Sequence, residues 1–221
     1  MRGAGYYESL MCEKPSDQEA ARPMLNKLRD NPIPKAAASK IEGEITVAEV
    51  KKSIRSMARG KASGPDGLHA ELYRTHEHLL LDFLTSVFNE LHTEGVLTDS
   101  MRKGNIILLY KKKDPYDIRN YRPITLLNAD YKIMTKILVE RLKTVVTDFI
   151  SKPQTGFVPK RQITENSLLC KLIQAYLDET NDEGLFLFLD IEKAFDSVSH
   201  EYLYRAAKAS GLGSDIMRWI D

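Results

Sequence analysis

Apolar residues recur along this chain in two periods, and the changes of period mark out its elements. Val47, Val50, Ile54 and Met57 fall at helical spacing, and Thr46-Val47-Ala48-Glu49 forms a capping box ahead of them, so a helix is predicted to about Arg59. Residues 68–94 repeat the period. There Leu79, Leu80, Phe83, Leu84, Val87, Phe88 and Leu91 make one apolar face, and Gly95 ends it. Asn128 is placed to cap a third helix, expected to run to about residue 150 with Ile133, Ile137, Leu138, Leu142 and Val145 on one side. Amphipathic helices are also predicted over 163–180 and 200–210, with Gly211 just beyond the second. Residues 16–30 are polar and weakly helical, with Ser16 as cap, an interruption at Pro23 and an end at Asn31-Pro32-Ile33-Pro34.

Two stretches read as strands instead. Gly104 to Tyr110 is one. Lys111-Lys112-Lys113-Asp114-Pro115 turns the chain, and Tyr121 to Leu127 is expected to return as its partner, with Pro123 at an edge position or a strand start. The other stretch is Leu185-Phe186-Leu187-Phe188-Leu189, which runs straight into Asp190. Five consecutive apolar residues between polar flanks predict a strand buried on both faces. The pattern as a whole is α+β and helix-rich, with turn-rich loops at 60–67, 151–162 and 181–184 and no internal repeat.

Composition narrows the class. With 43% hydrophobic and 29% charged residues, 221 residues can bury a sizeable core in one domain or two small ones. No apolar run approaches the roughly 20 residues of a membrane-spanning helix, and the first residues lack the apolar core of a signal peptide. An intracellular protein, nuclear or cytoplasmic and without a membrane partner, is therefore expected. Cys12 and Cys170 lack metal-site spacing and read as reduced, buried or incidental thiols. His76 and His78 read as a solvated surface.

The net charge of +1 hides a strong asymmetry. Residues 102–161 carry 14 Lys and Arg against 5 acids, and residues 162–221 carry 5 against 11. A basic middle beside an acidic end suits a protein that grips phosphates with one part and metal cations with another; varied surface charge on helices is the plainer reading.

Candidate chemistry sits at four places. Asp190, at the end of the predicted strand, is placed to present a carboxylate to a divalent metal or, alternatively, to cap the following turn. Asp196, six positions on, reads as a weaker candidate or, alternatively, as an N-cap or a salt-bridge partner. Lys111, Lys112, Lys113, Arg119 and Arg122 flank one hairpin turn, where they form either a triphosphate grip or a solvated lysine-rich turn. The 60–67 loop lacks P-loop spacing, and Gly64-Pro65-Asp66-Gly67 reads as a tight turn with Gly67 supplying an unusual backbone angle.

Four motifs then fall in order: Lys-Ala-Ser-Gly-Pro-Asp-Gly at 61–67, Asn-Tyr-Arg-Pro-Ile-Thr-Leu-Leu-Asn at 120–128, Gln-Thr-Gly-Phe-Val-Pro-Lys-Arg at 154–161 and Phe-Leu-Asp-Ile-Glu-Lys-Ala-Phe-Asp at 188–196. From about residue 45 onward the chain resembles the reverse transcriptase domain of non-LTR (LINE-type) retrotransposons. Residues 6–30 resemble the tyrosine-bearing segment that precedes that domain. The wording differs from the family's usual Gly-Arg at Lys160-Arg161 and Asp-Asn at Glu165-Asn166.

The resemblance implies a right-hand polymerase fold. Residues 1–44 would be an N-terminal extension, 45–180 the fingers with a basic hairpin, and 181–221 the start of a palm with an incomplete antiparallel sheet. It implies an RNA-directed DNA polymerase that adds dNTPs to a DNA primer on an RNA template with two Mg2+ ions. Asp190 and the backbone carbonyl of Ile191 would be metal ligands, with Asp190 catalytic. Lys111, Arg122 and Phe195 would contact the incoming dNTP, Phe195 as the wall that excludes a 2′-hydroxyl. Gln154, Gly156, Phe157 and Arg161 would lie near the template. The family's second acidic motif, an aromatic-Ala-Asp-Asp hairpin, has no counterpart here, and the chain stops inside an amphipathic segment, so a piece ending after the first palm motif is expected to be inactive alone. The alternative is a non-catalytic nucleic-acid-binding remnant of a degenerate element.

Overall fold

The computed structural model describes residues 2–12, 17–191, 194, 195 and 198–220. The expected cap at Ser16 and the carboxylate of Asp196 lie outside these residues.

The helices in chain order are α1 (Arg2–Met11), α2 (Gln18–Asp30), α3 (Lys35–Ala38), α4 (Val47–Ser56), α5 (Ala70–Thr75) and α6 (Glu77–Glu94). The hairpin β1 (Gly104–Tyr110) and β2 (Tyr121–Leu127) follows, and then α7 (Ala129–Lys143), α8 (Val146–Phe149), α9 (Ile163–Thr180), α10 (His200–Ala209) and α11 (Ser214–Ile220).

Helix α4 begins as its sequence dictates. The Thr46 hydroxyl accepts from the Glu49 backbone N–H, and the Glu49 carboxylate accepts from the Thr46 N–H at 2.9 Å, so both halves of the capping box form. The helix ends at Ser56, three residues before Arg59, with Met57 as its C-cap. Val50 and Ile54 point inward, where they meet Phe88 of α6 and Ile133 of α7, and all four are fully buried. Each such side chain stabilises the fold by roughly 1.5–3 kcal/mol relative to exposure. Ser53 donates to the Ile133 carbonyl at 2.8 Å, which satisfies a hydroxyl inside this core.

Arg141 of α7 ties the helices to the preceding linker. Its Nε and Nη2 form a fork with the Glu49 carboxylate at 2.6 and 2.9 Å, and its remaining donors reach the carbonyls of Gly43 and Glu44, each at 2.7 Å. A second cluster, with Ile33, Ile41, Val145 and Ile216, joins the α3 region to α11. The Glu42 carboxylate accepts from the Asp215 and Ile216 backbone N–H groups there.

Several expectations need correction. The helix expected over 68–94 is broken at His76 into α5 and α6, and Leu79 and Phe83 lie on the outer side, 66% and 63% exposed, because α6 packs on α4 with the Leu84–Phe88–Leu91 edge. Likewise, the helix expected to reach 150 stops at Lys143, and Val146–Phe149 forms a separate turn. Pro23 does not interrupt α2, which Asp17 caps by accepting from Glu19 and Ala20 and which packs Ala21 and Leu25 inward.

The largest correction concerns 185–190. It forms no strand; Leu187, Phe188 and Leu189 are 75–83% exposed. A strand needs a neighbour to complete its backbone hydrogen bonds, and the one ladder among the described residues joins β1 to β2. The apolar run encodes a preference for burial without encoding the partner that would provide it.

Candidate nucleotide and nucleic-acid site

The β1–β2 hairpin stands on the core and projects from it. Met101, just before β1, and Asn128, just after β2, are buried, whereas every residue of β1 is exposed. Cα partners run from Gly104 with Leu127 to Tyr110 with Tyr121, and the Lys111 N–H extends the ladder to the Asn120 carbonyl at 2.9 Å. That bond fixes the alternation: Leu109 and Arg122 form a hydrogen-bonded pair, and Leu108 and Pro123 a non-bonded one. The proline nitrogen therefore faces outward and interrupts no ladder bond, as an edge position requires.

The same register puts Lys111 and Arg122 on one face. Lys111 shares its face with Leu109, which lies directly opposite Arg122, so the two cations are diagonal neighbours at the exposed end of the ribbon. The turn between them is fixed by its own hydrogen bonds. Tyr110 donates to the Lys113 carbonyl at 2.6 Å, Asn120 to the Asp114 carbonyl at 2.9 Å and Tyr121 to the Pro115 carbonyl at 2.9 Å. Arg119 is turned onto Asp117 instead, and this pairing, led by the side-chain hydrogen bond, holds the Asp117 carboxyl below the usual range. Of the basic residues around this turn, Lys111 and Arg122 thus stand together on the ladder, and Arg119 has an acidic partner.

A loop from the first motif buttresses the hairpin base. The Asn128 side chain is buried; its Oδ1 accepts from the Asp66 N–H at 3.2 Å, and its Nδ2 donates to Ser100 Oγ at 2.9 Å. Asn128 occupies the cap position of α7, but its side chain makes no capping bond. Gly64 passes so close that a Cβ there would lie 2.2 Å from Asn128 Oδ1 and 2.4 Å from its backbone nitrogen. Gly67 has φ +74° and closes the turn with a bond to the Gly64 carbonyl, as its turn role requires. Sequence gives Gly64 a turn role and Asn128 a capping role, but the close approach of the two, 64 positions apart, leaves no local signal. Between this loop and β2 lies a groove of about 480 Å³ whose lining includes Lys61, Leu68, Ile124, Leu126 and Lys132.

Loop 151–162 makes a second cluster. The Arg161 guanidinium donates to the carbonyls of Ser151, Gln154 and Ile150, so the chain is wound around it. Gln154 Nε2 donates to the Gly156 carbonyl at 3.0 Å. Phe157 and Lys160 have φ of +61° and +65°, left-handed conformations that cost non-glycine residues energy. Phe157 is 95% exposed, and its ring meets Phe195 edge to face at 6.0 Å. The loop and the turn after Asp190 are thereby brought together.

Asp190 and Ile191 lie on the exposed segment between α9 and that turn. Among the described residues no three His, Cys, Asp or Glu side chains stand close enough to hold a metal ion. One carboxylate and one carbonyl are oxygen donors of the kind a hard divalent cation takes, with water and substrate phosphates filling its remaining positions.

Residues 110–221 match the family model described as reverse transcriptase (RNA-dependent DNA polymerase). The transposon TX1 uncharacterized 149 kDa protein of Xenopus laevis is 32% identical over 219 residues, 99% of this chain and 17% of that protein. The RNA-directed DNA polymerase from mobile element jockey of Drosophila melanogaster is 34% identical over 169 residues, 74% of this chain and 18% of its own length. The Pol polyprotein from type-1 retrotransposable element R1 of Bradysia coprophila is 25% identical over 167 residues, covering 74% and 16% of the two chains. The chain thus spans about a sixth of the length of these relatives.

Proposed function

From a chain that belongs to the reverse transcriptases of non-LTR retrotransposons, we infer the nucleotide-gripping and template-facing part of an RNA-directed DNA polymerase. The observation that carries this reading is the pairing of Lys111 with Arg122 on one face of a braced, projecting hairpin. Arg supplies a planar fork for phosphate oxygens and Lys a point charge beside it, which suits a triphosphate better than either cation alone. The hairpin and helices α4 to α9 correspond to fingers, and the segment into Asp190 to the start of a palm.

The second cluster fits the same division of labour. Gln154, Gly156, Phe157 and Arg161 would shape the surface that meets the template, Arg161 by holding the loop and Phe157 by offering an exposed ring on which a base can stack. Phe195 would face the sugar, a rigid wall selecting deoxynucleotides. The family is divalent-metal dependent, and we take the ion to be Mg2+, with Asp190 and the Ile191 carbonyl supplying two of its oxygens; bound metal would stabilise charge on the transferring phosphate. RNA template, DNA primer and dNTPs are the partners this reading names. A non-catalytic binding remnant is less favoured, since the family match takes in the hairpin turn, β2 and the Asp190 segment.

Fluorescence anisotropy with a labelled dNTP, on protein loaded with an RNA template and DNA primer in Mg2+ buffer, tests the reading. Lys111→Ala and Arg122→Ala are each expected to weaken the dNTP roughly tenfold, the low end for charge-assisted hydrogen bonds at an exposed site. Affinity equal to the parent in both variants would remove the basis for the triphosphate grip. In primer extension the 221-residue chain is expected to be silent; robust synthesis abolished by Asp190→Asn would show that one carboxylate suffices.

A further inference from the structure

Tyr7 of helix α1 lies more than a hundred residues before β2 in sequence, yet it is attached to it. Tyr7 is 7% exposed, and its hydroxyl lies 3.1 Å from the Tyr121 carbonyl and 3.4 Å from the Ile118 carbonyl. One O–H proton faces two acceptors that bracket the last turn before β2. The ring of Tyr6 packs edge to face on Tyr7 at 5.1 Å. A tyrosine suits such a place because its body is apolar and its tip is polar.

The register shows what this contact holds. Tyr110 and Tyr121 form a non-bonded pair, so the Tyr121 carbonyl points away from β1, toward the free edge of β2. The next peptide nitrogen belongs to Arg122, whose N–H faces β1. The peptide plane that leads into Arg122 is therefore fixed from both sides, by the ladder on the inner edge and by Tyr7 on the outer one. Without the outer contact, an edge carbonyl on a two-stranded ribbon would be left to water.

We propose that Tyr7 is a positioning residue for the phosphate grip: α1 is an arm of the hairpin that sets the direction of Arg122 relative to Lys111. This rests on the reading of that pair given above. It also reassigns residues 2–11 from a separate extension to part of the working surface.

Two measurements separate the proposal from the reading it rests on. The first is the affinity for a labelled dNTP, read by anisotropy on protein loaded with RNA template and DNA primer, beside the affinity for the primer–template itself. The variant K111A/R122A is expected to weaken the dNTP by about a hundredfold, two charge-assisted contacts at about tenfold each, and Tyr7→Phe, which deletes only the hydroxyl, by about threefold to tenfold, with primer–template affinity unchanged in both. A loss of stability alone would weaken both ligands together. The second is amide hydrogen exchange. Tyr7→Phe is expected to speed exchange at Lys111, Asp117 and Asn120, whose N–H groups bond within the tip, by about threefold to tenfold, the effect of one hydrogen bond, and to leave Val50 unchanged.

A Tyr7→Phe affinity for dNTP equal to the parent's, with K111A/R122A weakened, would overturn the positioning role. Should the double variant itself bind dNTP like the parent, the grip fails instead, and the exchange rates alone decide whether Tyr7 holds the tip. Uniform rates at the tip would then refute the clamp as well.

Discussion

Two carboxylates show how neighbours decide a residue's role. Burial pushes Glu49 up, but the Arg141 fork and the Thr46 bonds outweigh it, and the group titrates below the usual range. Its contribution to stability is present above the ordinary carboxylate value and is lost as pH falls through its lowered one. Asp130 is the reverse case. Burial, together with the charge of Asp66, raises it despite the 2.7 Å bond it accepts from the Tyr131 N–H, and burial with the same two acids pushes the Tyr73 phenol up to about 12. An acid whose folded value is raised costs stability at neutral pH, and the cost vanishes below the unfolded value. Asp130→Asn keeps an oxygen for Tyr131 and removes the charge. Solvent screens a half-buried charge, so the variant is expected to raise Tm at pH 7 by at most about 2 °C, with the gain fading toward pH 3. A lower Tm at pH 7 would mean that favourable placement at the start of α7 outweighs burial.

At the scale of elements, what is written locally was legible and what depends on distant chain was not. The capping box at Thr46 and Glu49, the hairpin of 104–110 with 121–127 that leaves Pro123 at an edge position, and the turn at Gly67 each need a handful of nearby residues, and each formed as expected. Thr46→Ala is accordingly expected to cost about 1 kcal/mol, read as a lower urea midpoint with an unchanged slope; no shift would mean that Arg141 alone holds Glu49 and the start of α4. The break at His76 and the outward turn of Leu79 and Phe83 were hidden, because the apolar stripe on α6 is wider than the face α4 can cover. The attachment of Tyr7 to Tyr121, and the close pass of Gly64 over Asn128, join residues dozens to over a hundred positions apart, which no periodicity reports. For the site, sequence placed Lys111 and Arg122 on one hairpin, and structure added that they share a face. It named Phe157 and Phe195 separately, and structure put their rings in contact.

Across the whole molecule, apolar surface and packing are unevenly shared. Helices α4 to α7 bury their stripes in one core, while α9 has no buried residue and presents Leu168, Leu169, Leu172, Ile173 and Tyr176 at 41–61% exposure. The following segment adds Leu185, Leu187, Phe188 and Leu189 at 75–92%. Exposed apolar area this continuous, beside backbone groups with no ladder partner among the described residues, is a template for association with other chains. The extended segment should dominate, because it offers both side chains and unpaired backbone, whereas the helix satisfies its own backbone internally. Leu187→Lys/Leu189→Lys adds two cations to a region whose acids outnumber its bases and places them where the parent side chains bury little, so the cost to folding should stay within about 0.5 kcal/mol. The double variant is expected to bind less of the dye ANS and to remain monomeric in sedimentation at concentrations where the parent associates, with an unchanged Tm. Equal association of both proteins would shift the cause from the segment before Asp190 to the face of α9, and Leu169→Lys/Leu172→Lys would then have to show the effect.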